Sequence, residues 1–141
     1  MNYWIFQGNP KYYRLLDAIR DLDEIFWLVT RHTKDIQEGD GVLLWMSGQD
    51  AGVYAVAEVI EPPQLLETIP EPDYWLEPNR FRQDKPHVKI RFLRKLLGQP
   101  LRRLELKHDR ILRDLLVIRA PHSTNFRVTP QQWQYIYQLK G

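Results

Sequence analysis

The chain has 141 residues, of which 43% are hydrophobic and 27% are charged, and its formal net charge is +2. This length and composition predict one globular domain over residues 1–141, with a core of ordinary size. The sequence has no cysteine, which excludes disulfides, thiol nucleophiles and cysteine-based zinc sites. It shows neither a charged-then-apolar leader nor an apolar run of about 18 residues, so we expect a cytoplasmic protein that does not enter a membrane.

The small net charge hides an uneven distribution along the chain. Residues 15–79 contain 3 Lys and Arg against 14 Asp and Glu, whereas residues 80–119 contain 13 against 4. A basic face built from the second segment would suit a polyanion, with nucleic acid as the first candidate. The alternative is that the two segments neutralise each other across the fold.

The first third of the chain predicts a strand, a helix and a second strand. The aromatic run Tyr3–Gln7 favours a short strand, which Gly8-Asn9-Pro10 ends. Apolar residues at helical spacing follow in Tyr12–Leu22. Ile25–Thr30 is β-branched and aromatic, which is typical of a buried strand.

A hairpin comes next, with Gly41–Met46 and Val53–Ile60 as its two arms. Trp45 alternates with Leu43, so we expect it to pack into the core rather than onto a ligand. The second arm alternates, which predicts one shared face for its small residues Val53, Ala55, Ala57 and Val59. Ser47 and Gly48 lie at the bend, where a glycine lets the backbone approach a ligand closely; an ordinary hairpin bend is the competing interpretation.

The rest of the chain predicts a long excursion and then short elements. Pro62–Pro86 is rich in proline and polar residues, and loops of this length are often functional. His87–Leu93 alternates as a half-buried strand with a basic outer face. Further along, we predict a strand at Leu101–Leu106, a helix at Asp109–Leu116, a strand at Leu116–Arg119 and a last helix capped by Thr129 and Gln132.

These elements together favour an α+β fold. The simplest arrangement is a small curved sheet or β-barrel flanked by helices. The sequence shows no internal repeat, low-complexity tract or linker.

Catalytic patterns are weak in this sequence. The histidines His32, His87, His108 and His122 lack metal-ligand spacing, so no metal site or cofactor is predicted. Ser47 precedes a glycine but lacks the frame of a nucleophile elbow. Asp73, Glu105 and Lys107 could form a metal-dependent nuclease site, although Glu105 and Lys107 are better interpreted as solvated partners on one strand face. We therefore expect a protein that is not an enzyme.

Two of the five tryptophans are candidates for a ligand. Trp27 lies near the end of an apolar run, just before a polar and basic segment. Trp75 lies in the proline-rich excursion, where little local core explains it. Two such rings brought together could clamp a planar base, since base–aromatic stacking is worth roughly 1–3 kcal/mol per base. Proteins that examine a single base commonly flip it into such a pocket.

Several segments resemble one known family. YWIFQGN at Tyr3–Asn9, the Gly39-Asp40 turn and LWMSGQDAGVYAVAEV at Leu44–Val59 are similar to the EVE domain, a PUA-like relative of the YTH domain. The segment from Arg119 to Trp133 supports the resemblance, which therefore spans nearly the whole chain. The resemblance implies a small β-barrel with a pocket for one flipped, often methylated, base. EVE domains occur alone or fused to modification-dependent restriction nucleases.

The resemblance also implies site residues. Asn9 corresponds to a base-contacting asparagine of YTH domains, and Trp27 and Trp75 correspond to their two cage aromatics. Ser47 and Gly48 would lie at the bend beside the pocket, with Asn125 as a further candidate. Phosphates would be bound by the basic segment; the residues expected there are Lys89, Arg91, Arg94, Arg102 and Arg103.

The sequence thus predicts a reader of a modified base in nucleic acid. DNA is favoured over RNA, with 5-methylcytosine or N6-methyladenine as the mark and a nuclease or AAA+ domain as a fused or associated partner. Two alternatives stay open: a PUA-type binder of structured RNA without modification specificity, and the metal-dependent nuclease.

Overall fold

The computed structural model describes residues 1–140, which form seven strands and four α-helices. The strands are β1 (Tyr3–Gly8), β2 (Glu24–Leu28), β3 (Gly41–Met46), β4 (Gly52–Gln64), β5 (His87–Lys95), β6 (Leu101–Arg102) and β7 (Asn125–Val128). The helices are α1 (Leu15–Asp21), α2 (Arg103–Leu106), α3 (Leu116–Arg119) and α4 (Pro130–Leu139). Three short 3₁₀ helices lie at Pro72–Tyr74, Pro78–Arg80 and Leu112–Asp114.

The strands form one mixed sheet in the order β2-β5-β4-β3-β1-β7, with β6 paired to β4. β1 runs parallel to β3, and the other described pairs are antiparallel. The predicted α+β class and the hairpin of β3 and β4 are confirmed.

The core has two parts because the strands alternate. Trp4 and Phe6 of β1 pack with Leu15 of α1 in the first part. Ile5 of β1 packs with Trp133 of α4 in the second part. Trp45 lies with Leu43 in the second part and is buried, which confirms its predicted role in the core.

A β-bulge corrects the predicted face of β4. Leu44 pairs with Ala55 but Trp45 pairs with Val53, so Tyr54 is an extra residue on β4. The bulge turns Val53 toward the second core, while Ala55 and Ala57 face the first. The prediction of one shared face is therefore wrong for Val53.

Of two strands predicted after β5, the first is right only for Leu101–Arg102, which form β6, and the second is wrong. Strand pairing stops at Arg102, and Glu105 then lies in helix α2, where its carboxylate accepts a hydrogen bond from the Arg102 amide at 3.0 Å. Leu116–Arg119 is helix α3 rather than a strand. Asp109 starts the preceding turn, because its Oδ1 accepts from the amides of Ile111 and Leu112.

The last helix begins as predicted. Thr129 Oγ1 accepts from the Gln132 amide at 3.1 Å, and the Gln132 side chain accepts from the Thr129 amide at 3.0 Å. This reciprocal capping box confirms the predicted start of α4. Across residues 1–140, no helix is long and apolar enough to cross a membrane.

Candidate functional site

A cavity of about 140 Å³ opens where the end of β1 meets β2 and the excursion between β4 and β5. We call it the aromatic cavity; its walls include Asn9, Tyr13, Phe26, Trp27, Trp75 and His87. Its volume is below the roughly 300–1,000 Å³ of drug-sized ligand sites. A single planar group suits it better than an extended ligand.

Trp27 is the wall of the cavity that belongs to the sheet. Its indole Nε1 donates to the Gln7 carbonyl at 3.1 Å, and only 8% of the residue is exposed. The six-membered part of the indole lies over Gly8, where an added Cβ would sit 2.4 Å from Trp27 Cζ2. Gly8 is therefore required for this ring position.

Trp75 is the wall that belongs to the excursion. Its Nε1 donates to the Pro70 carbonyl at 3.0 Å, and its backbone bridges to Tyr13. Two backbone bonds form this bridge, from the Arg14 amide to the Tyr74 carbonyl and from the Leu76 amide to the Tyr12 carbonyl. The excursion is thus ordered against the stretch that precedes α1.

Tyr13 contacts both tryptophans edge to face. Its ring centroid is 5.3 Å from that of Trp27 and 5.3 Å from that of Trp75, with interplanar angles of 86° and 79°. Tyr13 therefore joins the two indoles, which line the same cavity, into one aromatic cluster.

Glu71 holds Tyr13 in place. The Tyr13 hydroxyl donates to Glu71 Oε1 at 3.1 Å. Burial raises the pKa of Glu71 to about 7. Burial and the neighbouring carboxyl also raise the pKa of Tyr13, so the phenol stays protonated and keeps donating at neutral pH.

Of the residues predicted to bind a base, the structure brings Asn9, Trp27 and Trp75 to the aromatic cavity. Asn9 Oδ1 accepts from the Lys11 amide at 2.9 Å, which leaves the Nδ2 group of Asn9 as a donor. Their role in binding stays a prediction.

Ser47 and Gly48 lie behind the cavity rather than in its wall. The Ser47 amide and Oγ both donate to the Gly8 carbonyl, at 2.9 and 3.2 Å. Gly48 has a φ of +106°, which fits a turn residue without a side chain. The bend therefore braces the strand end beneath Trp27, and the predicted direct contact with a base has no support in this geometry.

The side chain of Asn125 is buried and hydrogen-bonded to backbone groups. Its Oδ1 accepts from the amides of Thr30 and Arg31, both at 3.1 Å, and its Nδ2 donates to the Arg31 carbonyl. All of these bonds join β7 to the segment after β2. The structure thus gives Asn125 a structural role, and its contact with a base stays a prediction without support in this geometry.

The cations predicted to bind phosphate are largely engaged within the protein. Lys89 lies 3.4 Å from Glu24 and 3.5 Å from Glu61, and Arg91 pairs with Glu24 and Glu58. Arg94 stacks 3.8 Å over the Tyr137 ring. Arg102 and Asp50 form an ion pair. The acidic and basic segments therefore neutralise each other along these strands. Among the five cations predicted to bind phosphate, Arg103 is the exposed one that has no ion pair within residues 1–140.

Sequence reasoning missed several residues of the cavity. Tyr13, Phe26 and His87 line it, and Arg80 at its edge lies 4.1 Å from the centroid of the Tyr12 ring. Tyr12 and Tyr13 were predicted to be helical, but α1 begins only at Leu15. The signal in the sequence for a later start of the helix was the Asn9-Pro10 turn, which lies just before this pair of tyrosines.

No metal centre is seen in the described part of the chain. Across residues 1–140, no three His, Asp or Glu side chains are placed to hold an ion together. Asp73 lies in the 3₁₀ helix Pro72–Tyr74, whereas Glu105 caps α2. The nuclease arrangement therefore has no support in this geometry.

A mixed sheet with helices on both faces and an aromatic cavity at the strand ends defines a PUA-like α+β domain. The EVE domain model matches residues 2–139, so the chain belongs to the EVE domain family. No protein of curated function shows significant sequence similarity to the chain.

Solved structures share this fold at low sequence identity. A hypothetical protein from Leishmania major has a TM-score of 0.73 at 19% identity, over 99% of this chain and 94% of that one. A Pseudomonas putida protein has a TM-score of 0.70 at 19% identity, over 99% of both chains. Human THYN1, solved in complex with DNA containing 5-methylcytosine, has a TM-score of 0.72 at 13% identity, over 99% of this chain and 98% of that one.

Proposed function

We propose that this protein binds nucleic acid, most simply DNA, and reads one modified base that is extruded into the aromatic cavity. The observation that carries the proposal is the pair of indoles, Trp27 and Trp75, set almost perpendicular to Tyr13 around a space sized for one planar group. The leading mark is 5-methylcytosine, and N6-methyladenine is the second candidate.

The small size of the cavity supports base flipping. A base in a duplex is stacked and paired, so it must leave the helix to meet both indoles, at a cost of a few kcal/mol. Stacking on aromatic rings returns roughly 1–3 kcal/mol per base. A methyl group adds apolar contact with the same walls, which favours the modified base.

Family membership supports this choice of ligand. The THYN1 complex contains DNA with 5-methylcytosine on the same fold. Within the family, such a module would direct an associated nuclease or AAA+ domain to modified DNA, as in restriction systems.

We assign phosphate contacts to cations around the mouth of the cavity. Arg80 lines the cavity and is exposed, and its nearest carboxylate oxygen, on Glu77, is 3.9 Å away. Arg103 remains a candidate from the basic segment. Cations of this kind set affinity and salt dependence without reading the base.

Binding by fluorescence anisotropy tests the proposal. One short duplex would carry cytosine, 5-methylcytosine, 5-hydroxymethylcytosine or N6-methyladenine at the target position, and a fifth ligand would be the matching RNA. We expect a preference of about 10-fold or more for one modified DNA, equivalent to about 1.4 kcal/mol. Equal, salt-sensitive binding to every DNA would refute base reading, and tight binding to the RNA alone would favour a PUA-type RNA binder.

Flipping and phosphate contact need separate readouts. A 2-aminopurine beside the target base should brighten on binding if the base leaves the stack. Replacing Arg80 with Ala should reduce the slope of the logarithm of the binding constant against the logarithm of salt concentration by the equivalent of about one phosphate contact. Arg91→Ala, which removes an arginine paired with Glu24 and Glu58, should leave this slope unchanged.

A further inference from the structure

His87 places a hydrogen-bonding group in the wall of the aromatic cavity. It is the first residue of β5, opposite Leu28 of β2, and only 2% of it is exposed. Its ring centroid lies 5.1 Å from that of Phe81. The ring is therefore held by the sheet on one side and by the excursion on the other.

The hydrogen bonds of His87 define its tautomer. Nδ1 lies 3.0 Å from the Lys85 carbonyl oxygen. A carbonyl can only accept, so Nδ1 carries the proton and Nε2 of the neutral ring has only a lone pair. Burial lowers the pKa of His87, which favours this neutral form at pH 7.

Nε2 is available to a ligand. It has no hydrogen-bond partner within residues 1–140, and no fully buried side-chain nitrogen or oxygen there lacks a partner. Nε2 must therefore contact open space, and the space that His87 borders is the aromatic cavity. Two other polar groups of the cavity wall are occupied, since the Trp27 indole donates to Gln7 and the Tyr13 hydroxyl donates to Glu71.

We propose that His87 is a specificity-determining residue whose Nε2 accepts a hydrogen bond from the exocyclic amino group of the extruded base. The cavity would then take an amino base and reject a keto base. This inference rests on the proposed function and names which bases that function selects.

The clearest consequence concerns 5-methylcytosine and thymine. Both carry the same methyl group and present similar faces to the two indoles, so stacking and apolar contact distinguish them poorly. They differ at position 4, where cytosine has an amino donor and thymine has an oxygen acceptor. The lone pair of His87 Nε2 would meet another lone pair in thymine. The Nδ2 group of Asn9 is a donor and could pair with the acceptor edge of cytosine.

The experiment compares 5-methylcytosine with thymine at one position of a short duplex. The target base is placed opposite an abasic site, so that neither base loses a pairing partner when it is extruded. The measured quantity is the ratio of the dissociation constant for thymine to that for 5-methylcytosine. We expect a ratio of about 10–100 for the unaltered protein, because a site built around a substrate donor penalises an analogue that lacks it.

Two variants test the residue. His87→Asn can still donate to Lys85 but has no acceptor at the Nε2 position, and His87→Phe keeps a ring against Phe81. Both should bring the ratio to within about threefold of 1. The control is His122→Asn, an exposed histidine outside the aromatic cavity, which should keep the full ratio.

The outcomes separate the two ideas. A purely structural role would weaken both ligands equally, so an unchanged ratio in folded variants would overturn the assignment. A protein that prefers 5-methylcytosine to cytosine but shows no preference over thymine would also overturn it, while leaving the proposed function intact. If the unaltered protein binds the cytosine, 5-methylcytosine, 5-hydroxymethylcytosine and N6-methyladenine duplexes equally, the proposed function is refuted, and this inference with it. Imidazole ¹⁵N shifts offer a further check, because a protonated Nε2 in the free protein would exclude the acceptor role.

Discussion

Replacing Trp27 with Phe separates its role in the core from its role in the cavity. Trp133 is a matched control, because the two tryptophans are equally buried, at 8% and 9% exposure, in different parts of the core. Each lies against a glycine: a Cβ would sit 2.4 Å from Trp27 at Gly8 and 2.6 Å from Trp133 at Gly41. Only Trp27 lines the aromatic cavity.

The expected losses of stability are similar. Trp27→Phe removes the bond to the Gln7 carbonyl, worth about 1 kcal/mol, and the smaller ring costs about 1–2 kcal/mol more. Trp133→Phe weakens stacking on Tyr3, whose ring centroid is 4.8 Å away, worth about 0.5–1.5 kcal/mol, with the same cost for the smaller ring. Both variants should therefore lose about 2–3 kcal/mol of a total near 5–15 kcal/mol and stay folded.

The expected effects on binding differ. If a phenyl ring keeps about half of a stacking contribution of roughly 1–3 kcal/mol, Trp27→Phe weakens binding of the modified duplex by about 2–13-fold. Trp133→Phe should stay within about twofold of the unaltered protein. Anisotropy titrations at a temperature well below both melting transitions measure this difference. Equal losses of affinity in the two variants would refute the assignment of Trp27 as a base-contacting wall.

Three further predictions concern groups around the cavity. The pKa of Glu71 should be 4.5 in the unfolded chain and about 7 in the folded chain, so the free energy of unfolding should fall as pH rises between these values. After a discount for partial exposure, this fall should be about 1–2 kcal/mol smaller in Glu71→Gln, as measured by denaturation at pH 5 and pH 8. Gly8→Ala should force Trp27 to move, which should cost about 1–3 kcal/mol of stability and at least about 10-fold in affinity for the modified duplex. Gly98→Ala should change neither quantity, because no atom lies within 4 Å of its added Cβ. Asn125→Ala should lower stability by about 2–3 kcal/mol while the folded fraction binds normally; a loss of affinity without a loss of stability would show direct contact with the base.

Features decided by neighbouring residues were predictable from the sequence. The start of α4 depends on Thr129 and Gln132, three residues apart, and the structure shows their reciprocal bonds. The hairpin likewise follows from two apolar arms around a glycine-containing bend. The predictions for the segment after β5 failed because its helices are only four residues long. Helices of that length are too short to be identified from the periodicity of apolar residues.

The rest of the site depends on pairing between distant strands. Glu24 opposes Arg91 in the register of β2 and β5, and this pairing neutralises charge that looked available in the sequence. Spacing along the chain carries no information about such a register. Tyr13 meets Trp75 in the same way, through a backbone bridge between segments about 60 residues apart.

The two walls of the aromatic cavity differ in how firmly they are held, and this difference bears on how a base would enter. Trp27 lies on an unbroken ladder, since β2 pairs with β5 from Glu24 to Leu28, and its ring rests on Gly8. Trp75 is held by one backbone bridge and a bond to Pro70, within an excursion of short 3₁₀ helices. Segments with fewer backbone bonds open at lower free energy. We therefore expect a base to displace the Trp75 side, so that substitutions in the excursion change association rates, whereas substitutions at Gly8 or Trp27 change the lifetime of the complex.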